Sequence, residues 1–340
     1  MDPDTVASLA EGGARVTHGS SDDPDCLDFS ANTNPEVPDG VSQVYQAALA
    51  TARSYPADDY GAYCEAAGAF VDCVPMDVVP TVGGLAAIRL AVAVTVEPGD
   101  PVAVPAPSFG EYAREVRLQG GEPALVPHDE ILGVDPAEHA LVVVCNPNNP
   151  TGDASDADAL RAFADRCRAA GTPLLVDEAF LGFTDEPSLA GTDGVVVARS
   201  LTKLFGLPGL RAGFAVATGE LGDRLAAARR TWSLSVPAAA VGAHCMDQPG
   251  FVTATRDRVR RERERLADRL DARFDVHPSD APFLLLDAES PDAADAAVAD
   301  ARDADIAVRD ARSFRGLDTH VRVAVRRPAE NDRLLAAWGV

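Results

Sequence analysis

The sequence predicts an α/β protein with a seven-stranded, mostly parallel sheet followed by a small α+β unit, and two observations carry that prediction. Between residues 78 and 217 seven short apolar runs recur: DVVPTV, PVAVPAP, PALVPH, LVVVCNP, PLLVDEA, GVVVARS and RAGFAVA. Most are rich in β-branched residues and are continuous rather than alternating, and helix-like segments such as 155 to 170 separate them. Continuous apolar strands between helices are what a sheet covered on both faces requires.

In chain order, residues 1 to 37 are loop-rich and read as an arm, residues 38 to 237 as a large α/β domain and residues 238 to 340 as a small α+β domain. The link from GVVVARS to RAGFAVA carries Gly206, Pro208 and Gly209 and is too irregular for a crossover helix, so the last large-domain strand is expected antiparallel to its neighbours. After Pro237 the character changes to a charged helix over about 252 to 272, with acid and base at helical spacing that suits a solvated face. Three further strands, FLLLDA, DIAVRD and HVRVAV, alternate with two helices and complete the small domain.

Composition bounds the function. A formal net charge of -23 argues against nucleic acid and anionic membrane as partners, because phosphate would be repelled over most of the surface. The six cysteines form no CxxC pair and have no metal-ligand spacing with histidine; they read as buried apolar residues in a reducing cytoplasm, and no metal site is expected. The opening MDPDTVASLAEGG lacks a basic region and an apolar core, and Arg89 interrupts the apolar run near 85 to 96, so neither signal peptide nor membrane span is expected. The chain has thirty basic side chains, of which Lys203 is the sole lysine. Acid excess with lysine almost absent suggests a halophilic protein, whose self-repulsion is screened by salt.

Lysine survives where arginine cannot replace it: a guanidinium does not deprotonate, whereas a desolvated amine can become a nucleophile. Lys203 lies in SLTKLFGLPGLRAG, and four other segments fall at the ends of predicted strands, the edge where open α/β sheets bind ligands. In TVGGLAAI, residues 81 to 88, Gly83 and Gly84 between strand and helix offer backbone N–H groups to a phosphate. PAPSFGEY places Phe109 and Tyr112 just after a strand, where either can be core or can stack on a planar ring. NPNNPTG, residues 146 to 152, forces a turn-rich path that presents amide side chains. LLVDEAFLGF ends a strand on Asp177.

In this order and spacing the five segments resemble the large domain of the fold-type I pyridoxal-phosphate enzymes, particularly the aminotransferase class I/II group, over nearly the whole chain. The resemblance implies pyridoxal 5'-phosphate as cofactor, Lys203 as the residue bonded to it, Asp177 against the pyridinium nitrogen and Asn149 as donor to the ring hydroxyl. It also implies that Ser200 and Arg211 hold the cofactor phosphate with the backbone at Gly83 and Gly84, and that Phe109 lies over the ring. Tyr55, in RSYPADDY, matches a tyrosine that reaches a neighbouring subunit's phosphate, which implies a homodimer with shared sites. Two positions depart from the family pattern: Phe180 stands where many relatives have tyrosine, and Val-Gly-Gly-Leu-Ala at 82 to 86 replaces the more usual Asn-Gly-Ser/Ala-x-Glu.

The reaction depends on which bond at the substrate's α-carbon is held perpendicular to the ring. LDFSANTNP (27 to 35) and HVRVAVRRPAEND (320 to 332) resemble threonine-phosphate decarboxylases of cobalamin synthesis more than the related histidinol-phosphate aminotransferases. That implies a phosphorylated amino acid as substrate and decarboxylation of L-threonine O-3-phosphate to (R)-1-amino-2-propanol O-2-phosphate, with amino transfer as the alternative. Arg322 is then the carboxylate-binding arginine. Arg326, two alternations along an expected strand, is the candidate for the substrate phosphate. Asn32 and His18, in the arm, are the candidates for closing over substrate.

Overall fold

The structure, a computed structural model, describes every residue except 12–15, 17–20, 22 and 24. In chain order the strands are β1 (Leu27–Asp28), β2 (Val78–Thr81), β3 (Pro101–Ala106), β4 (Glu122–Pro127), β5 (Leu141–Cys145), β6 (Leu174–Asp177), β7 (Val195–Ser200) and β8 (Gly213–Val216). They continue as β9 (Asp275–Val276), β10 (Phe283–Asp287), β11 (Ile306–Ala307), β12 (Arg309–Asp310) and β13 (His320–Ala324).

All seven apolar runs become strands of one sheet, in the order β2-β8-β7-β6-β5-β3-β4. Strands β4, β3, β5, β6 and β7 are parallel, and β8 is antiparallel to both β2 and β7, as the glycine-proline link requires. The continuous pattern has a direct cause. Along β5 every side chain is buried: Leu141, Val143 and Cys145 join one apolar cluster, while Val142 and Val144 join the cluster on the opposite face. Each side chain so buried contributes about 1.5–3 kcal/mol.

The second sheet has the order β12-β13-β10-β9 and is antiparallel. DIAVRD, expected as one strand, divides. Its first half pairs with the arm in parallel, Leu27 opposite Ile306, and its second half joins β13, Arg309 opposite Arg322. The arm also contains a helix, Pro3–Glu11, which its composition did not suggest. The expected domain boundary at 237/238 falls inside helix Val236–Met246, which packs against helices Val41–Thr51 and Gly61–Val71. The charged helix runs from Pro249 to Leu270 and is more than a solvated face: Val252, Val259, Leu266 and Leu270 form a buried stripe at helical spacing. Among the described residues no helix is long and apolar enough to cross a membrane, and no cluster of His, Cys, Asp or Glu could hold a metal ion.

Because β2, β3, β5, β6 and β7 run the same way, their carboxyl ends share one edge of the sheet. That edge delivers Gly83, Phe109, Asn149, Asp177 and Lys203 to one place.

Candidate active site

A cavity of about 770 Å³ opens at this edge and is lined by Gly84, Phe109, Asn149, Asp177, Ser200, Lys203 and Arg211, together with residues of the arm and the small sheet. Lys203 lies on a single helical turn, Leu201–Leu204, that follows β7 directly and is capped by Ser200. Burial pushes its amine down to about 8, and the nearby cations Arg322 and Arg211 push in the same direction. An amine with that pKa is partly unprotonated near neutral pH, the state a nucleophile needs.

Asp177 ends β6 and is buried. Its Oδ1 accepts a hydrogen bond from the Ala179 amide at 3.0 Å and its Oδ2 one from the Tyr112 hydroxyl at 2.6 Å. Burial raises its pKa, opposed by those two bonds. Among the described residues no cation forms a close ion pair with it, and Lys203 is the nearby positive charge that favours its ionised form. The next residue, Glu178, is anchored by an ion pair to Arg199 at 3.0 Å and by bonds from Ser188 and Leu189, which fix the chain behind Asp177.

The end of the cavity beside helix Gly84–Thr95 is built from close approaches. Gly83 caps helix Gly84–Thr95 with φ of 80°, and a Cβ there would run into the Arg211 guanidinium. A Cβ at Gly84 would press on Ser200. The free amides of a twelve-residue helix, the Ser200 hydroxyl, the Thr202 hydroxyl bonded to it at 2.8 Å and the Arg211 guanidinium therefore border one small space.

On the opposite wall Arg322 is buried, donates to Asn149 Oδ1 through Nη1 and to the Ser30 carbonyl through Nη2 at 3.0 Å, and lies over the Phe283 ring. Burial pushes it down to about 9, helped by Arg309. Arg309, buried on β12 and bonded to Ser313 at 2.6 Å, sits opposite it in register. Asn32 is 3% exposed, lines the cavity, and its Oδ1 has no hydrogen-bond partner among the described residues.

Two expected residues lie outside the cavity lining, and a third is not among the described residues. Arg326 is outside the cavity because β13 ends at Ala324; its guanidinium donates to the Asp28 carbonyl at 2.9 Å and pairs with Glu330 at 3.2 Å, so the expected shared face with Arg322 is lost. Tyr55 is 77% exposed and stacks on Trp232 at 4.2 Å, away from the cavity lining. His18 lies outside the described residues. Phe180, in place of the more usual tyrosine, is buried edge-on against Phe283 and offers the site no hydrogen bond.

Three residues at the site have no role in the sequence expectations. Tyr112, expected as core or a stacking ring, instead donates its hydroxyl to Asp177; its place three residues after Phe109 is the available signal. Thr202 has no motif beyond its proximity to Ser200. For Arg309 the sequence predicts only a strand, since nothing in DIAVRD shows that it faces Arg322.

The geometry agrees with the comparisons. The chain belongs to the aminotransferase class I and II family, whose model matches residues 24–337. It is 30% identical over 327 residues to histidinol-phosphate aminotransferase 2 of Archaeoglobus fulgidus, covering 93% of each chain. It is 32% identical over 331 residues to the threonine-phosphate decarboxylase of Salmonella typhimurium, covering 92% of this chain and 90% of that one. A solved histidinol-phosphate aminotransferase of Sinorhizobium meliloti, in complex with pyridoxal-5'-phosphate, superposes with a TM-score of 0.84 at 22% identity, covering 99% of this chain and 93% of that chain. The fold is that of the fold-type I enzymes and the cofactor is pyridoxal 5'-phosphate. The residues present fit it: a buried carboxylate without a close ion-pair partner among the described residues, a glycine-lined anion cradle and an amine of lowered pKa.

Tyr112 gives a first test. Its hydrogen bond lowers the Asp177 pKa, so Tyr112→Phe should raise it, and activity on the acid side should be lost at a higher pH than in the parent. The lost charge-assisted bond should reduce turnover about tenfold. An unchanged acid limb in the pH profile would show that Tyr112 does not act on Asp177.

Proposed function

We propose that this enzyme decarboxylates L-threonine O-3-phosphate to (R)-1-amino-2-propanol O-2-phosphate, as a step of cobalamin synthesis. The observation that carries this reading is the pair of buried arginines, Arg309 and Arg322, facing each other across two strands. Both guanidiniums line the cavity, and threonine phosphate carries a carboxylate and a phosphate, the kinds of anion such donors recognise. The cofactor, when bound, supplies the electron sink for the pair released at the substrate's α-carbon.

In this reading Arg322, oriented by Asn149, takes the carboxylate and Arg309 takes the phosphate in place of the expected Arg326. Asp177 keeps a proton on the ring nitrogen, Asn149 donates to the ring hydroxyl and Phe109 covers the ring. Ser200, Arg211 and the amides at Gly83 and Gly84 hold the cofactor phosphate. Lys203 bonds the cofactor and, once released by substrate, returns a proton to the α-carbon after carbon dioxide has left. Asn32 contributes its uncommitted amide to the substrate.

Amino transfer is the second reading, favoured by the equally extensive similarity to the Archaeoglobus relative. An amino donor with two carboxylates would use the same arginine pair. Incubating the protein with threonine phosphate, and separately with histidinol phosphate plus 2-oxoglutarate, decides between them. Carbon dioxide released without any keto acid supports decarboxylation; turnover that depends on 2-oxoglutarate and leaves the carboxylate in place replaces it with amino transfer.

The arginine roles are tested separately. Removing either guanidinium should cost about 2 to 5 kcal/mol in binding. Arg309→Ala should weaken threonine phosphate and leave the weak binding of unphosphorylated threonine unchanged, whereas Arg322→Ala should weaken both. Equal effects of the two variants on both ligands would refute the division of labour. The reading also includes a homodimer, supported by the exposed Tyr55 and Trp232 pair, and a protein adapted to salt. Sedimentation as a monomer, or a Tm that does not rise with added salt, would remove the respective part.

A further inference from the structure

The loop that carries Asn149 is held from a second point, four residues further on. Asp153 receives two histidines from distant parts of the chain. His128, just after β4, places Nε2 2.8 Å from Oδ2; His277, just after β9, places Nε2 3.0 Å from Oδ1 and 3.2 Å from Oδ2. Thr151 Oγ1 adds a contact at 3.4 Å to His128. Beside this cluster the backbone is stitched across the same seam: the Asp280 amide donates to the Gly152 carbonyl at 2.9 Å, and the Ala154 amide donates to Asp280 Oδ2 at 3.1 Å. Gly152 has φ of 92°, and a Cβ there would collide with Ser279, so only glycine permits this approach.

The loop is thus joined to the small sheet twice. Asn149 accepts from Arg322 on β13, and Asp153 bonds His277, which lies between β9 and β10. Strands β10 and β13 are paired neighbours, with Leu285 opposite Arg322, and the His277 amide donates to the Leu285 carbonyl at 3.0 Å. A shift of His277 relative to Asp153 is therefore carried through Leu285 to the Arg322–Asn149 bond.

We propose that Asp153 is a positioning residue which, braced by its hydrogen bond to His128, forms with His277 a protonation-dependent clamp that holds the Asn149 loop on the small sheet and fixes Arg322 for its anion. The clamp rests on Arg322 receiving a substrate anion and holds for either substrate reading. The groups facing it are Asp153 and His128 from the large sheet's loops, Asp275 from β9, and Asp280, whose backbone carbonyl is in turn held by Arg263 at 2.8 Å. The bond from Asp153 raises the His277 pKa, against its partial burial, and Asp275 raises it further. Burial alone would raise the Asp153 carboxyl, but the bonds from His128, His277 and Thr151 outweigh it and hold it well below the usual range.

Linkage sets the pH at which the clamp holds. A raised histidine pKa contributes stability that is complete below its unfolded value of 6.5 and is lost as pH rises through the folded value. The depressed carboxylate contributes above its unfolded 3.8 and is lost only in stronger acid. The clamp is closed in mild acid and opens toward alkaline pH.

The test compares the parent holoenzyme with His277→Gln and His277→Arg, each measured from pH 6 to 9 for KM and kcat with whichever of the two substrates above is turned over. Backbone amide exchange of residues 146–156 is followed in the same samples. His277→Gln should raise KM about tenfold at pH 6, keep kcat within about threefold, and speed exchange in the segment. His277→Arg, which keeps its charge, should hold KM low and the segment protected up to pH 9, where the parent loses both. A His277→Gln protein with lowered Tm but parental KM and parental exchange would overturn the proposal, because the histidine would then be structural only. So would a His277→Arg protein that follows the parent's pH dependence. If neither substrate is turned over, the substrate readings fail but exchange of 146–156 still decides the clamp.

Discussion

Lys203→Arg is expected to abolish turnover, by more than about 10⁴-fold, and to remove the visible absorption of the covalently bound cofactor. The substitution keeps a positive charge on the turn Leu201–Leu204 but removes a group that can lose its proton: the lysine's pKa stands near 8, whereas a guanidinium stays charged. A permanent cation beside Arg322 and Arg211 is also less welcome than an amine that can discharge, so a modest fall in Tm should accompany the loss. Circular dichroism should show the fold intact. Turnover within tenfold of the parent would show that Lys203 is not the bonding residue and would remove the functional reading with it.

Asp177→Asn should still bind cofactor, because the glycine cradle, Ser200 and Arg211 are untouched, but should lose about 10²–10³ in turnover. The carboxylate is buried without a partner cation among the described residues, and its two oxygens are already oriented by Ala179 and Tyr112. In the proposed reading the protonated ring nitrogen would supply the positive group that such an acid needs, and a neutral amide could not hold that proton. Activity near the parental level would show that Asp177 serves structure alone.

The parts of this molecule that were legible in its sequence are those with short-range causes. Strands such as LVVVC are buried on both faces and therefore read as unbroken apolar runs. The β7–β8 link carries its own irregularity in Gly206, Pro208 and Gly209. Lys203 and Asp177 stood out because each lies in a distinctive local motif, Asp177 at the end of β6 and Lys203 on the turn just after β7. What was missed depends on long-range register. Arg309 faces Arg322 only because DIAVRD divides between two sheets. Arg326 lies outside the cavity lining because the strand stops at Ala324, two residues short of where period-two alternation would have placed it. The bond from Tyr112 to Asp177 spans 65 residues, and the Asp153 clamp joins residues 25 and 124 positions apart. No local pattern encodes such pairs.

The assignment of Lys203 is tested most directly by where the cofactor becomes attached. Because the chain has a single lysine, the primary amines in it are Lys203 and the amino terminus. Borohydride trapping of the holoenzyme, followed by peptide mass analysis, should place one cofactor per chain on the peptide containing SLTKLFG and none on the amino-terminal peptide. A trapped cofactor on the amino terminus, or a holoenzyme from which the cofactor washes away untrapped, would contradict the assignment of Lys203 and the site built around it.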